Sequence, residues 1–98
     1  MKNILFTLAL LISFISFGQT ADEYFDSGFD KAEAKDYYGA IADYTKAIDI
    51  YPNDAYIYRR RGLAYFDLND LRGACLDFKI AKELGEEIPK KYTKKCKP

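Results

Sequence analysis

Between Asp36 and Pro52 the apolar residues Tyr37, Ala40, Ile41, Tyr44, Ala47, Ile48 and Tyr51 recur at alternating steps of three and four. On an α-helix that spacing collects them along one face, which must be covered by neighbouring structure. Small Ala40 and Ala47 lie among large Tyr44 and Ile48, a profile that admits close approach of a second helix. Asp36 is a good N-cap, and Pro52 disfavours helical geometry at Tyr51. Three further segments show helical spacing. Thr20 with Glu23 is a capping-box signature opening a helix that runs to about Ala34, with Tyr24, Phe25, Gly28, Phe29 and Ala32 on its apolar side. Asn53-Asp54 caps a third helix, Ala55 to Leu68, carrying Tyr58, Gly62, Leu63, Tyr65 and Phe66. Leu71, Ala74, Phe78, Ala81 and Leu84 mark a fourth, closed by Gly85, a favoured C-terminal cap.

The four helices form two copies of one unit. A shift of 34 residues lays Tyr24 on Tyr58, Gly28 on Gly62, Asp36 on Asp70, Ala40 on Ala74, Asp43 on Asp77, Tyr44 on Phe78 and Ala47 on Ala81. Repetition at this period is the mark of stacked helical pairs. The units are then residues 21–54 and 55–88. A second shift puts Tyr92 on Tyr58, so residues 89–98 read as a capping helix, the truncated start of a third unit. Pro89 suits a first helical turn, and Ile88, Tyr92 and Cys96 stack at steps of four. Such a cap covers the apolar face that the last repeat of a solenoid otherwise leaves in water.

These residues resemble the tetratricopeptide repeat (TPR) family. Its aromatic, Leu-Gly, Tyr, Ala, Phe, Ala, Pro pattern is met by Tyr24, Gly28, Ala40, Tyr44, Ala47 and Pro52, then by Tyr58, Gly62, Tyr65, Ala74, Phe78 and Ala81. Ser27 and Arg61 replace the usual leucine, Lys31 replaces tyrosine, and Glu86 stands where the second unit would close with proline. Ser27 and Lys31 lead us to expect the first helix to be the least protected element. The resemblance implies an all-α fold, a short right-handed α-solenoid, whose first helix in each unit lines a concave groove. The outward residues there are Asp22, Phe25, Phe29 and Glu33, then Tyr56, Arg59, Leu63, Phe66 and Asp67. Phe25, Phe29, Leu63 and Phe66 would form an apolar floor, with Tyr56 and Arg59 as amphipathic anchors, suited to an extended peptide or a partner's helix. The same aromatics also read as core shared between adjacent helices. Carboxylate recognition through lysines and asparagines, known in some members, does not carry over, because Phe25 and Phe29 occupy the matching places.

The N-terminus is a separate matter. Met1, Lys2 and Asn3 are followed by an almost unbroken apolar run, Ile4 to Phe17, and by small residues at Ser16 and Gly18. This is the pattern of a secretory signal peptide over residues 1–18, cleaved near Gly18. An uncleaved anchor is the other reading, although 14 residues fall short of the roughly 20 that span a bilayer. An exported chain, periplasmic or secreted, is thus expected. Export permits a disulfide, and Cys75 and Cys96 are the only two cysteines. With the cap antiparallel to the fourth helix, they lie roughly 15 and 12 Å from the turn, within reach of each other. A buried Cys75 and a loose Cys96 remain the alternative.

Charge and chemistry narrow the function. The chain has no net charge, yet residues 21–54 hold nine acidic and three basic side chains, residues 55–88 six of each, and residues 89–98 five lysines. A short lysine tail is no sustained basic face, which argues against nucleic acid as partner. Histidine is absent, removing the commonest general base and transition-metal ligand, and two distant cysteines make no zinc site. No glycine-rich phosphate loop is present, so no cofactor is implied. The carboxylates of Asp26, Asp30, Asp43 and Asp49 read as solvated surface rather than acid/base pairs, and Arg60 and Arg61 as surface charges. The chain reads as a non-catalytic module binding a protein or peptide. Its rival is a unit that stacks head to tail through an acidic first repeat and a basic cap, a homo-oligomer.

Overall fold

The computed structural model describes residues 19–96; the signal-peptide expectation lies outside them. The described chain is helical without strands: α1 (Ala21–Glu33), α2 (Tyr37–Ile50), α3 (Ala55–Asp67), α4 (Leu71–Glu83) and the single turn α5 (Lys90–Thr93). Consecutive helices pack as two hairpins, α1 with α2 and α3 with α4, joined by the packing of α2 on α3. This is an all-α solenoid of two helix-turn-helix repeats.

Each of α1 to α4 starts where a short polar side chain can take up a free backbone N–H. Glu23 N–H donates to Thr20 Oγ1, Gly39 N–H to Asp36, Tyr56 N–H to Asp54 and Gly73 N–H to Asp70. The ends of α1, α3 and α4 close with a left-handed residue, Lys35 (φ 64°), Asn69 (φ 61°) and Gly85 (φ 105°). At each, the next N–H reaches back five residues: Asp36 to Lys31 O, Asp70 to Tyr65 O and Glu86 to Ala81 O. Gly85 was legible in the sequence, whereas Lys35 and Asn69 occupy the conformation without a glycine's freedom.

The core follows the repeat. Ala40, Tyr44, Ala47, Ile48 and Ile57 form one buried cluster, and Ala64, Ala74, Phe78 and Ala81 are buried in the second unit. Tyr44 and Phe78 lie fully inside because glycine faces each ring. A Cβ on Gly28 would meet Tyr44 Cδ1 at 2.8 Å, and one on Gly62 would meet Phe78 Cε1 at 2.7 Å. Ile50 and Tyr51, by contrast, are exposed.

Between the hairpin helices runs a polar contact that reverses two expectations. Asp43 is not solvated: it is 8% exposed, and its repeat equivalent Asp77 is 1% exposed. Ser27 Oγ donates to Asp43 Oδ2 at 2.6 Å, and Lys31 Nζ stands 2.9 Å from the same oxygen. Arg61 is no surface charge either. Its Nε and Nη2 donate to Asp77 Oδ2 and Oδ1, both at 2.8 Å, and its Nη1 to Thr45 Oγ1 of the first repeat at 3.1 Å. The departures from the family pattern at Ser27, Lys31 and Arg61 are therefore the partners of a buried aspartate in each unit.

The cap is shorter than a helix over 89–98. Its helical part is one turn, after which Cys96 bonds to Cys75 of α4, with Cα atoms 5.4 Å apart. Tyr92 carries the apolar contact of this turn, its ring centroid 5.0 Å from Phe66, edge-on, and 5.8 Å from Phe78.

Candidate functional site

The six residues expected on the groove divide into three environments. Phe25, Phe29 and Tyr56 gather at the α1–α3 side, where the Phe25 centroid lies 6.4 Å from Phe29, 5.6 Å from Tyr44 and 5.5 Å from Tyr56. Leu63 lines a hollow described below. Arg59 and Phe66 turn towards the cap, Arg59 Nη1 donating to Glu86 Oε1 at 2.7 Å and Phe66 lying under Tyr92. Phe25 and Arg59 are equivalent under the repeat. Phe25 reaches by ring contact to Tyr56 of the next unit, whereas Arg59 pairs with Glu86 at the end of its own.

A hollow of about 290 Å³ opens where α1, α2 and α3 converge, closed on one side by Tyr92. Glu33, Tyr44, Arg60, Leu63 and Asp67 share its wall. Two of these are chemically unspent. Arg60 makes no ion pair among the described residues; its guanidinium lies 4.6 Å from the Phe29 ring centroid and 5.8 Å from that of Tyr56. Stacked on aromatic faces, a guanidinium keeps its N–H edge free for an acceptor. The Tyr44 hydroxyl is buried without a hydrogen-bond partner. Burial pushes this phenol above its ordinary value, and the Arg60 guanidinium beside it opposes the rise, by hydrogen bonding to the phenolate first and by charge second. An orphaned buried hydroxyl costs free energy, so its occurrence beside a free cation in a concave wall is worth explaining.

Sequence reasoning placed Glu33, Leu63 and Asp67 on this face but missed Arg60 and Tyr44. Arg60 has a recoverable signal, since it stands four residues after Tyr56 on α3 and so shares its face. Tyr44 had none, because its spacing marks it as core and the ring is core; only its hydroxyl end differs. The wall offers hydrogen-bond donors, two carboxylates and apolar surface, a combination for gripping a chain. Among the described residues no group of three His, Cys, Asp or Glu residues is placed to hold a metal.

The family model for the TPR repeat matches residues 31–69, the end of α1 through α2 and α3. That match, together with the two helical hairpins in 34-residue register, supports a tetratricopeptide-repeat protein. No curated protein and no solved structure matches the chain. TPR units are protein–protein interaction modules and, in general, non-catalytic scaffolds. The match straddles the hollow, since α2 and α3 supply Tyr44, Arg60, Leu63 and Asp67.

Proposed function

We propose that this TPR protein is exported and captures a segment of a partner protein on the concave side of α1 and α3, in the hollow between the repeats. The observation that carries this reading is the unpaired Tyr44 hydroxyl beside the free Arg60 guanidinium, with Leu63 and the stacked Phe25, Phe29 and Tyr56 continuing as apolar surface. A bound backbone carbonyl or polar side chain would satisfy both donors, and an apolar side chain would lie on Leu63 and Phe29. An extended peptide or one face of a helix meets these requirements. Specificity would come from the polar pair, since a segment without an acceptor there would leave both groups buried and unpaired.

A photoreactive amino acid at Leu63 should cross-link a partner in the native envelope, whereas the same group at Lys46 on the exposed side of α2 should not. Arg60→Ala should abolish the Leu63 adduct while leaving helicity unchanged. Equal adducts from both positions, or an Arg60→Ala adduct of unchanged yield, would overturn the reading. N-terminal sequencing of the purified protein tests export separately: Gln19 is the expected first residue, and a retained Met1 would contradict it.

A further inference from the structure

We propose that the outer groove between α4 and the disulfide-bound tail receives the acidic end of the first repeat of a second copy. This goes beyond the concave site and does not depend on it. The groove is a hollow of about 850 Å³ with a mainly apolar lining, and Leu76, Phe78 and the Cys75–Cys96 bridge lie along it. Leu76 is 60% exposed, a large apolar side chain left in water. Arg72, Lys79 and Lys82 stand around it with Glu83 as the single acid. None of these three cations has an ion-pair partner among the described residues, whose pairs are Lys31–Asp43, Arg59–Glu86 and Arg61–Asp77. The exposed lysines of the tail add to the same sign.

The complement is present on the same chain. Ile50 and Tyr51 are 51% and 58% exposed at the end of α2. Tyr51 shares a hollow of about 430 Å³ with Asp22 and Asp54, and Asp49 precedes Ile50. Here is an apolar knob ringed by acids, facing an apolar groove ringed by bases. With nine acidic and three basic side chains in residues 21–54 and five lysines in residues 89–98, each molecule presents one pole of each sign. Matching poles steer encounter, and the apolar knob in the groove supplies the non-directional part of the contact. Knob and groove lie on different repeats, so the contact is heterologous and propagates unless its rotation closes a ring or a pair.

Sedimentation velocity on the protein as the cell processes it provides the test, run over a concentration series at low and high salt. The expected result is a mass that rises with concentration at low salt and falls back to monomer at high salt, where screening shortens to about 3 Å at 1 M. Lys79→Glu with Lys82→Glu should be monomeric, and so should Asp22→Lys with Asp49→Lys. Mixed in equal amounts, the two variants should assemble again, because every reversed groove then meets a reversed knob. Recovery on mixing also shows that both variants are folded. A wild-type protein monomeric throughout, charge variants that still assemble, or a mixture that stays monomeric would each overturn the proposal, the first leaving the groove to a foreign partner.

Discussion

Arg61 and Asp77 show how far a single pair can set the register of a repeat. Asp77 is almost fully enclosed and receives a two-pronged guanidinium contact, while the third Arg61 donor reaches Thr45 in the preceding unit. Asp77→Asn removes the charge that Arg61 was buried against and should destabilise the fold by about 3–5 kcal/mol in urea denaturation. Replacing both, Arg61→Met with Asp77→Leu, should recover most of that loss, since burying an ion pair has its own desolvation penalty. If both changes cost the same, the pairing account is wrong. The first-repeat counterpart is weaker because the Lys31 side chain is 43% exposed, and Lys31→Met should cost less than about 1 kcal/mol. Asp43 nonetheless responds to acid. Burial raises its carboxyl, but hydrogen bonds from Ser27 and Lys31 and the charges of Lys31 and Lys46 outweigh this and hold it below the ordinary carboxylate value. A folded-state value below the unfolded one gives stability that is complete above the unfolded value of about 3.9 and is lost as pH falls through the folded value. Asp43→Asn should therefore flatten the acid limb of a plot of urea midpoint against pH and leave the neutral-to-alkaline slope unchanged. Tyr44→Phe runs the other way: deleting an unsatisfied hydroxyl should raise the melting temperature while weakening partner capture. The burial of Asp43 was missed because charged residues are assigned outward by habit. The signal was available in the repeat itself, since Asp43 and Asp77 recur at one register, opposite a serine with a lysine in one unit and an arginine in the other.

At the scale of elements, spacing and caps made α1 to α4 legible to within a residue or two, because each boundary has a local cause in Thr20, Asp36, Asp54 or Asp70. The cap was legible in its contacts and not in its length. Tyr92 packs on Phe66 and Phe78 and Cys96 bonds to Cys75, yet α5 stops after one turn, before the disulfide-bound Cys96. So short a helix has too few hydrogen bonds to persist in isolation, and its position depends on Tyr92 and on the covalent link. Cys75 and Cys96 are 21 residues apart, a loop whose closure stabilises by about 3 kcal/mol on the chain-entropy argument. Cys75→Ala with Cys96→Ala should lower stability by that order and free the tail, with loss of NMR contacts between Tyr92 and the rings of Phe66 and Phe78. Tyr92→Ala in the oxidised protein should lose the packing but keep the tail near α4. Retention of the Tyr92 contacts without the disulfide would show that the aromatic wedge alone holds the cap.

For the whole molecule, the two repeats are alike in backbone and unlike in reinforcement. The second has the enclosed Arg61–Asp77 pair, the disulfide and Tyr92 over Phe66 and Phe78. The first has a half-exposed lysine on Asp43, and α1, the first helix of the described residues, has exposed Asp22, Glu23, Asp26, Asp30 and Glu33. The groove was harder to read than the fold for a related reason: repeat spacing says which face is inward, but not which inward residue is already satisfied. Arg59 and Phe66 meet Glu86 and Tyr92, contacts that depend on how the chain lies after α4. In a solenoid, stability is near to a sum of repeat and interface contributions, so opening begins at the end with fewer of them. Native-state hydrogen exchange at increasing urea should thus release α1 first, then α2, with α3 and α4 exchanging together at the global unfolding free energy. Reduction of the disulfide should narrow the gap by lowering the protection of α4 without changing that of α1. Uniform protection across all four helices would mean that two repeats of this size unfold as one cooperative unit, and that the charged interior of the first is as strong as that of the second.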